Sequence, residues 1–472
     1  MFAAHGPCHE PAATGDRLRG TPIRRTGVLA LGLLPAAVVV AAWLVLRGDD
    51  LLAGKEHAVG AVADLAAFLG LAGFVVLVTL GTRLAWVERT FGLDRMSRLH
   101  RRLGPWVVGL FILHGVLRTV HFSLGHGRSW TWSYLFYFGT GDPGLLVGHL
   151  AFYLVLIAAA VALLRGKRLP FRAWKPGHLL VYPAVLLGFV HAAMKGWNDL
   201  RLFPNDAVYF ALAASALALF GVRAAYRMTR DRRRTWVLER VVRETHDTTS
   251  LVLARPGDPG PFRSRRAGQF SVIRARAGRG WSEPHPFTIS CEPASEALRF
   301  TIKAVGAFSA GVRALPPGTP FLCEGPYGAF CPDFEREKRI VMIAGGVGIT
   351  PFLSFLRHAA RAALDVGFTL IWANKTRADI IAIDEFHALA RPPFLKVVYV
   401  LSQEPELLPE SGEAVTYERG RVGAEILAKH VARSPATYYL CGPSPMQNAV
   451  LAALRDALGV RSREVRRELF FF

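Results

Sequence analysis

Cysteine is scarce in this chain of 472 residues. Cys8, Cys291, Cys323, Cys331 and Cys441 are odd in number and widely dispersed. That pattern excludes a disulfide framework, and no pair has the spacing of a zinc site. Acidic residues are also few, with 36 Asp and Glu against 57 Lys and Arg, giving a formal charge of +21. In a soluble protein such a charge points to a nucleic-acid partner. A 51% hydrophobic composition and a mean hydropathy of +0.27 argue against a wholly soluble chain and exclude intrinsic disorder. Internal repeats, EF-hand loops, SH3-type modules and C-x-x-C-H are missing. No calcium control or required regulatory subunit is therefore expected within this chain, and any haem would be held without a covalent bond.

The apolar residues are concentrated in the first half, in runs near the length of about 17–25 residues that a membrane span needs. Six spans are expected, near Thr26–Leu46, Val59–Thr82, Leu103–Leu124, Gly144–Leu164, Gly177–Met194 and Asp206–Ala225. The first follows Arg24 and Arg25 like a signal peptide. It is too long and lacks a small-residue cleavage site, so it is expected to be retained. Lys and Arg number twenty-one in the four segments on one side of these spans and six in the three on the other. The positive-inside rule then places both termini in the cytoplasm of a multi-pass protein of the plasma or inner membrane. Most of the excess charge, +15 in residues 1–234, follows from this topology, and no nucleic-acid partner is needed.

Four histidines stand out. His100 and His114 are 14 residues apart, about 21 Å along a helix and within about 40° of one face. His178 and His191 are 13 apart, about 140° out of phase in an ideal helix. Pro183 between them can kink or overwind that helix. Both helices run in the same direction, so His100 shares a level with His178, and His114 with His191. A lone intramembrane histidine is most simply a packing or interfacial residue. Four in two matched levels fit two bis-histidine b-type haems stacked across the bilayer. His121 and His149 read as packing or surface residues. Arg118, one turn past His114, suits a haem propionate, an anionic oxidant or a snorkelling position. Asp64 suits a helix–helix hydrogen bond or a proton or water path.

After Arg234 the chain reads as water-soluble. Short β runs (TWVLERVVRE, TSLVLARP, GQFSVIRAR, HPFTIS, LRFTIKAV, TPFLCEG) predict a small antiparallel barrel over 235–335. From 336 onward strands alternate with helices, the pattern of a parallel α/β domain. GGVGITP (Gly345–Pro351) follows an apolar strand and opens a helix. Such glycines let backbone approach a pyrophosphate at a helix N-terminus, although tight turns use glycine as well. At the end of the next strand, WANKTR carries Lys375 and Arg377, basic residues that favour the 2′-phosphate of NADPH, with NADH also possible.

HPFTIS (His285–Ser290), LRFTIKAVGAFS, EGPYG and CGPSPM, together with GGVGITPFLS, resemble the flavin and nicotinamide halves of the ferredoxin–NADP reductase superfamily. With the histidine-bearing helices, the chain from about Leu51 to Phe472 resembles the ferric reductase and NADPH oxidase family, and its bacterial NADPH-oxidase-like members most closely. The resemblance implies that His285, Pro286, Phe287 and Thr288 line the isoalloxazine and ribityl chain of FAD, with Ser290 closing that motif. It implies that Lys303 and Ser309 approach the FAD phosphates, and that Gly345, Gly346, Gly348, Thr350 and Pro351 take the NADPH pyrophosphate. Cys441 would sit by the nicotinamide, with Gly442 and Pro443 shaping that turn. His100, His114, His178 and His191 match the family's haem ligands, unequal spacing included. Phe472, in the ending ELFFF, would stack on the flavin until nicotinamide displaces it. Eukaryotic superoxide-forming members have a histidine where this chain has Arg118.

The expected architecture is a cytoplasmic tail (1–25), a six-helix transmembrane haem bundle (26–226), an FAD-binding β-barrel (235–335) and an NAD(P)-binding α/β domain (336–472). The expected activity carries electrons from cytoplasmic NADPH through FAD and two haems b to an extracytoplasmic acceptor. Dioxygen is the first candidate and a ferric chelate the second. A membrane-anchored flavin reductase feeding a protein partner is a third reading.

Overall fold

In this computed structural model the described residues are 36–45, 47–81, 93–129, 131, 141–164, 169, 171–199, 211–222, 225, 235–278, 280–431 and 435–468. The N-terminal tail, Cys8, the Arg230–Arg234 junction and Phe472 lie outside them. The chain divides into two compact units, residues 1–226 and 227–472.

The first unit is helical. Its described helices are α1 (Ala36–Val45), α2 (Lys55–Gly81), α3 (Leu93–His126), α4 (Pro143–Leu163), α5 (Phe171–Leu179), α6 (Val181–Asp199) and α7 (Ala211–Val222). Among the described residues four stretches are long and apolar enough to cross a membrane: Lys55–Gly81, Met96–His126, Pro143–Leu163 and Ala173–Lys195. These correspond to the second to fifth expected spans. The first and sixth are described only as the shorter α1 and α7. Large exposed apolar side chains, such as Trp106, Leu150, Leu186 and Leu217, fall in this unit with two exceptions, Val305 and Leu407. A surface of that kind is what lipid covers.

Two differences from the sequence expectation matter for the histidines. Helix α3 begins at Leu93, ten residues before the expected span. Its basic first turns continue the helix beyond the apolar stretch, so His100 is a helical residue. The helix carrying His178 and His191 is broken at Leu180, between α5 and α6. Pro183 has no N–H for the Leu179 carbonyl and its ring would crowd that oxygen. Leu180 N–H instead closes a tighter turn on the Gly177 carbonyl at 3.3 Å, and α6 restarts with Ala184 N–H on the Leu180 carbonyl at 3.1 Å. The break, rather than a kink within a continuous helix, removes the phase conflict of a 13-residue spacing.

Glycines bring α2 close to α3. A Cβ on Gly70 would lie 2.9 Å from the Phe111 ring, and one on Gly73 would lie 2.7 Å from Val107. Helix α4 starts with Asp142 as its cap, the carboxylate accepting from Leu145 N–H, and with Pro143 at the first position. Both are favoured helix starts.

The second unit has two sheets. The first contains β1 (Thr235–Arg243), β2 (Thr248–Ala254), β3 (Phe270–Ala277), β4 (Gly280–Trp281), β5 (His285–Thr288), β6 (Leu298–Lys303) and β7 (Pro320–Tyr327), with a one-turn helix α8 (Ala307–Gly311) after β6. All of its pairings are antiparallel, in the order β4-β3-β7-β1-β2-β6 with β5 on β3. Alternate residues of its strands (Trp236, Leu251, Leu253, Ile273, Phe300, Phe321) meet in one core, as period-two alternation requires.

The second sheet contains β8 (Arg339–Gly345), β9 (Gly367–Asn374), β10 (Leu395–Leu401), β11 (Val415–Arg419), β12 (Thr437–Cys441) and β13 (Val465–Glu468), all parallel. Helices α9 (Thr350–Arg361), α10 (Ile383–Leu389), α11 (Ala424–His430) and α12 (Ser444–Leu458) connect them. Both faces are buried, Met342, Leu370 and Trp372 on one and Val341, Ile343 and Ile371 on the other. This is why these strands read as unbroken apolar runs. The order β11-β10-β9-β8-β12-β13 places the first strand in the middle. The chain winds outward to one side through β9–β11 and then returns to the other through β12 and β13. The switch falls between β8 and β12, where an open α/β sheet leaves its ligand crevice at the carboxyl ends of the strands.

Candidate functional site

The four membrane histidines come together as two pairs. The rings of His100 and His178 are 6.3 Å apart between centroids, and those of His114 and His191 are 6.4 Å apart. A metal–imidazole bond of about 2.0–2.1 Å on each side, plus about 1.1 Å from Nε2 to each ring centre, requires about 6.3 Å. Each pair thus leaves room for one iron between two imidazoles. The rings are held from behind. His100 Nδ1 lies 3.1 Å from the Leu77 carbonyl, His114 Nδ1 2.9 Å from that of Ala63, and His191 Nδ1 2.8 Å from that of Gly144. Donation of Nδ1–H to a carbonyl fixes the tautomer and leaves Nε2 as the ligand atom. Trp174 stacks on His178 at 4.8 Å.

The register behind this is regular. Helices α2 and α3 run antiparallel, so a 14-residue step from His100 to His114 is matched by a 14-residue step back from Leu77 to Ala63. His121, seven residues on, docks the Glu56 carbonyl at 2.9 Å in the same register, as a packing residue. His149 Nδ1 meets the carbonyl of Leu145 in its own helix at 2.8 Å. Gly148 makes space for the His191 ring, since a Cβ there would stand 2.6 Å from its Nδ1. Asp64 is buried between helices, with Arg118 on one oxygen and Arg47 on the other at 3.3 Å. Arg118 is therefore tied to a carboxylate on α2.

In the second unit the crevice between β8 and β12 collects the glycine turns. Gly346 has φ +52°, open to glycine at little cost. Its carbonyl accepts from Trp372 Nε1 at 3.0 Å. A Cβ on Gly348 would collide with the Cys441 carbonyl, and one on Gly345 would stand 2.8 Å from Pro443 and 2.6 Å from the Met446 sulfur. The Gly345–Gly348 turn and the Gly442–Pro443 turn therefore pack side by side, and both open α-helices, α9 and α12. Close backbone approach at helix N-termini is the arrangement that receives a dinucleotide phosphate. Thr350 and Pro351 are buried in the first turn of α9, and the Thr350 hydroxyl donates to the Val347 carbonyl at 3.1 Å. The Cys441 side chain is wholly buried in the core beneath the turn. Gln447, also wholly buried, donates to the carbonyls of Gly442 and Glu468, each at 2.8 Å. It joins this turn to β13, whose last residue pairs with Cys441.

At the end of β9, Lys375 is exposed. Arg377 is held by Glu406 at 2.6 Å, with Glu404 3.9 Å from its Nε. Asn374 between them and Trp372 is 7% exposed, and neither polar atom of its side chain has a partner among the described residues. A buried amide left open at the ligand edge of a sheet is a functional signal, since such groups are normally satisfied. Only its place in WANKTR hinted at it in sequence.

The HPFTIS motif begins on β5, which pairs with β3 so that Val272 faces Pro286. The His285 ring stacks on Phe308 at 4.0 Å and 15°, and Phe287 lies 6.3 Å and 6.2 Å from these two rings, also near-parallel. Planar rings presented in parallel suit a flat heteroaromatic group. Burial pushes the His285 imidazole below its usual range, against the pull of Glu283. Thr288 and Ser290 are buried, and the Ser290 hydroxyl is spent on the Arg299 carbonyl at 3.1 Å and on Thr301. Lys303 pairs with Asp247 at 2.9 Å. The Ser309 hydroxyl accepts from the amides of Val305 and Gly306, each at 2.9 Å. These last two hold the loop in shape through protein partners. Arg357 on α9 clasps Glu385 with two 2.6 Å bonds and donates to the Ser290 carbonyl at 2.7 Å, fastening the parallel sheet's first helix to the HPFTIS segment.

Comparison with known proteins gives two family matches. Residues 66–189 match the ferric reductase like transmembrane component, and residues 342–452 match the oxidoreductase NAD-binding domain. The chain is 31% identical over 251 residues to a flavohemoprotein of Bordetella pertussis, covering 50% of this chain and 60% of that one. It is 32% identical over 228 residues to the reductase component of propane 2-monooxygenase from Mycolicibacterium goodii, covering 47% and 63%. The chain thus spans about three-fifths of the length of these relatives. Among solved structures it is similar to the flavohem-like FAD/NAD-binding domain of nitric oxide dioxygenase from Vibrio cholerae, at 23% identity and TM-score 0.43 over 50% of this chain and 98% of that one. The ferric-reductase-like match thus lies in the helical unit, and the oxidoreductase NAD-binding match lies on the parallel sheet and its helices. The two families, joined on one chain, fit a flavocytochrome of the ferric reductase and NADPH oxidase kind.

Proposed function

We propose that this protein passes electrons from cytoplasmic NADPH through FAD and two b-type haems to an acceptor outside the membrane, with dioxygen as acceptor and superoxide as product. The observation that carries this reading is the pair of histidine pairs, each at the separation one iron needs, at two levels along α3, one facing α5 and the other α6. His100 with His178 and His114 with His191 would be the axial ligands. Helices α1 and α7 would be parts of the first and sixth of six spans, with the Lys/Arg-rich segments inside. The first sheet of the second unit would be the flavin barrel.

The residues fit the groups they are asked to hold. The Gly345–Gly348 and Gly442–Pro443 turns would take the pyrophosphate, with Cys441 supporting the nicotinamide turn from beneath. His285 and Phe287 would border the flavin ring, and β5 would place Pro286 and Thr288 along it. Flavin supplies the conversion of a two-electron donor into single electrons. What the protein adds is position, a closed apolar surround and imidazoles of fixed tautomer. Each electron carried outward moves a charge through the membrane potential, worth about 2.3 kcal/mol per 100 mV, so turnover depolarises vesicles.

The family match makes a ferric chelate the second acceptor to test. Purified protein supplied with NADPH should reduce cytochrome c in a reaction that superoxide dismutase suppresses. Reduction insensitive to superoxide dismutase, with a ferric chelate consumed instead, would replace dioxygen as the acceptor.

A further inference from the structure

The His114/His191 level has a repeated construction that the His100/His178 level lacks. Four residues past His114 stands Arg118, and four residues past His191 stands Lys195. The equivalent residues past His100 and His178 are Gly104 and Tyr182, which carry no charge. On a helix, i and i+4 lie on one face. Each histidine and its cation therefore address the same neighbouring helix at two points, one turn apart.

The two docking sites are built alike. His114 Nδ1 meets the Ala63 carbonyl on α2 at 2.9 Å, and Arg118 pairs with the next residue, Asp64. His191 Nδ1 meets the Gly144 carbonyl on α4 at 2.8 Å, and Lys195 pairs at 2.8 Å with Asp142, two residues before it. In both, the second carboxylate oxygen is used to fix the acid itself. Asp64 Oδ2 faces Arg47 at 3.3 Å, and Asp142 Oδ1 accepts from Leu145 N–H at 3.1 Å. Arg118 lies within electrostatic reach of both histidines of this level, and Lys195 of His191.

We propose that Asp64–Arg118 and Asp142–Lys195 are two matched clamps, positioning residues that fix the ring orientation of His114 and His191 and set the electrostatics of the haem between them. This rests on the two-haem reading above and extends it to which residues tune the second haem. A ligand imidazole is oriented by its own Nδ1–H bond, and a second anchor one turn away stops its helix from rotating or sliding against the docking helix. Replacing either acid by its amide leaves a cation uncompensated beside that level. Asp64 is buried whereas Asp142 and Lys195 are half-exposed, so loss of the Asp64 carboxylate is the more costly change, and in both an unbalanced positive charge stabilises the reduced, less positive iron.

The test uses full-length protein with haem bound, followed by low-spin electron paramagnetic resonance and a redox titration. His114→Ala identifies which of two signals belongs to its level, as the one it removes. In Asp64→Asn and in Asp142→Asn that same signal should shift, with its midpoint potential raised, while the other keeps its wild-type position. Asp64→Glu, which keeps the charge, should return the potential toward wild type. Two wild-type signals that neither amide substitution moves, or an equal shift of both, would overturn the clamps alone. A wild-type protein without two low-spin signals would overturn the two-haem reading and the clamps with it.

Discussion

Gly148 offers a sharp perturbation of the proposed haem site because it touches a ligand without being one. A Cβ at this position would lie 2.6 Å from Nδ1, 2.7 Å from Cε1 and 2.9 Å from Cγ of His191, where ordinary contact begins at 3.4 Å. In Gly148→Ala the ring must retreat by about 0.8 Å, or the helices must part. The pair is set at 6.4 Å, and a bond of about 2.0–2.1 Å on each side leaves little slack. Overpacking of this kind costs about 1–3 kcal/mol. If that cost falls on the bound state, haem retention weakens by about 5-fold to 150-fold, at about 1.4 kcal/mol per factor of ten. Haem and flavin content of the purified variant, from absorbance, gives the answer. One low-spin haem per chain in place of two is expected, with flavin content unchanged. Gly188→Ala is the control on the ligand's own helix, since a Cβ there meets nothing within 4 Å, and it should keep both haems. Two fully occupied haems in Gly148→Ala would show that His191 does not hold an iron at this site.

Three further outcomes follow from the second unit. Gly348→Ala, whose Cβ would collide with the Cys441 carbonyl, should abolish NADP+ binding by calorimetry while flavin content is retained. Asn374→Asp places a carboxylate at the end of the second parallel strand, where an acid favours the ribose of NADH. The NADPH-to-NADH ratio of kcat/KM should fall at least tenfold. His285 has its ionisation pushed below the usual range by burial, so the folded state favours the neutral ring. That contribution is present above about pH 6.5 and is lost as pH falls below it. The melting temperature should drop on acidification through that window, and His285→Gln should flatten the drop.

Much of this fold was legible because physical periodicity writes it into the chain. Six of the seven strands of the first sheet were visible as β runs between glycine and proline. The strands β8, β9, β10 and β12 were visible as apolar runs. The strands missed were the two-residue β4 (Gly280–Trp281) and, in the second sheet, β11 (VTYER) and β13 (VRRE), short edge strands that bury too little to show a pattern. The pairing of His100 with His178 and of His114 with His191 followed from helix direction and level alone. The break at Leu180 did not, because a proline marks where a helix is weak without saying whether it bends or stops. The carbonyls behind the histidines and the Asp64–Arg118 pair were also hidden, since they depend on the register of α2 against α3. Asn374 and Gln447 became informative only through burial, one amide left open and the other fully used.

Anaerobic titration of the purified wild-type protein with NADPH shows whether electrons pass from flavin to both haems. One flavin taking two electrons and two haems taking one each require two NADPH per chain for complete reduction. Flavin absorbance should bleach and both haems should show reduced α-bands by that point. Flavin that bleaches after one NADPH while the haem spectrum remains oxidised, or a purified protein without haem, would contradict that transfer.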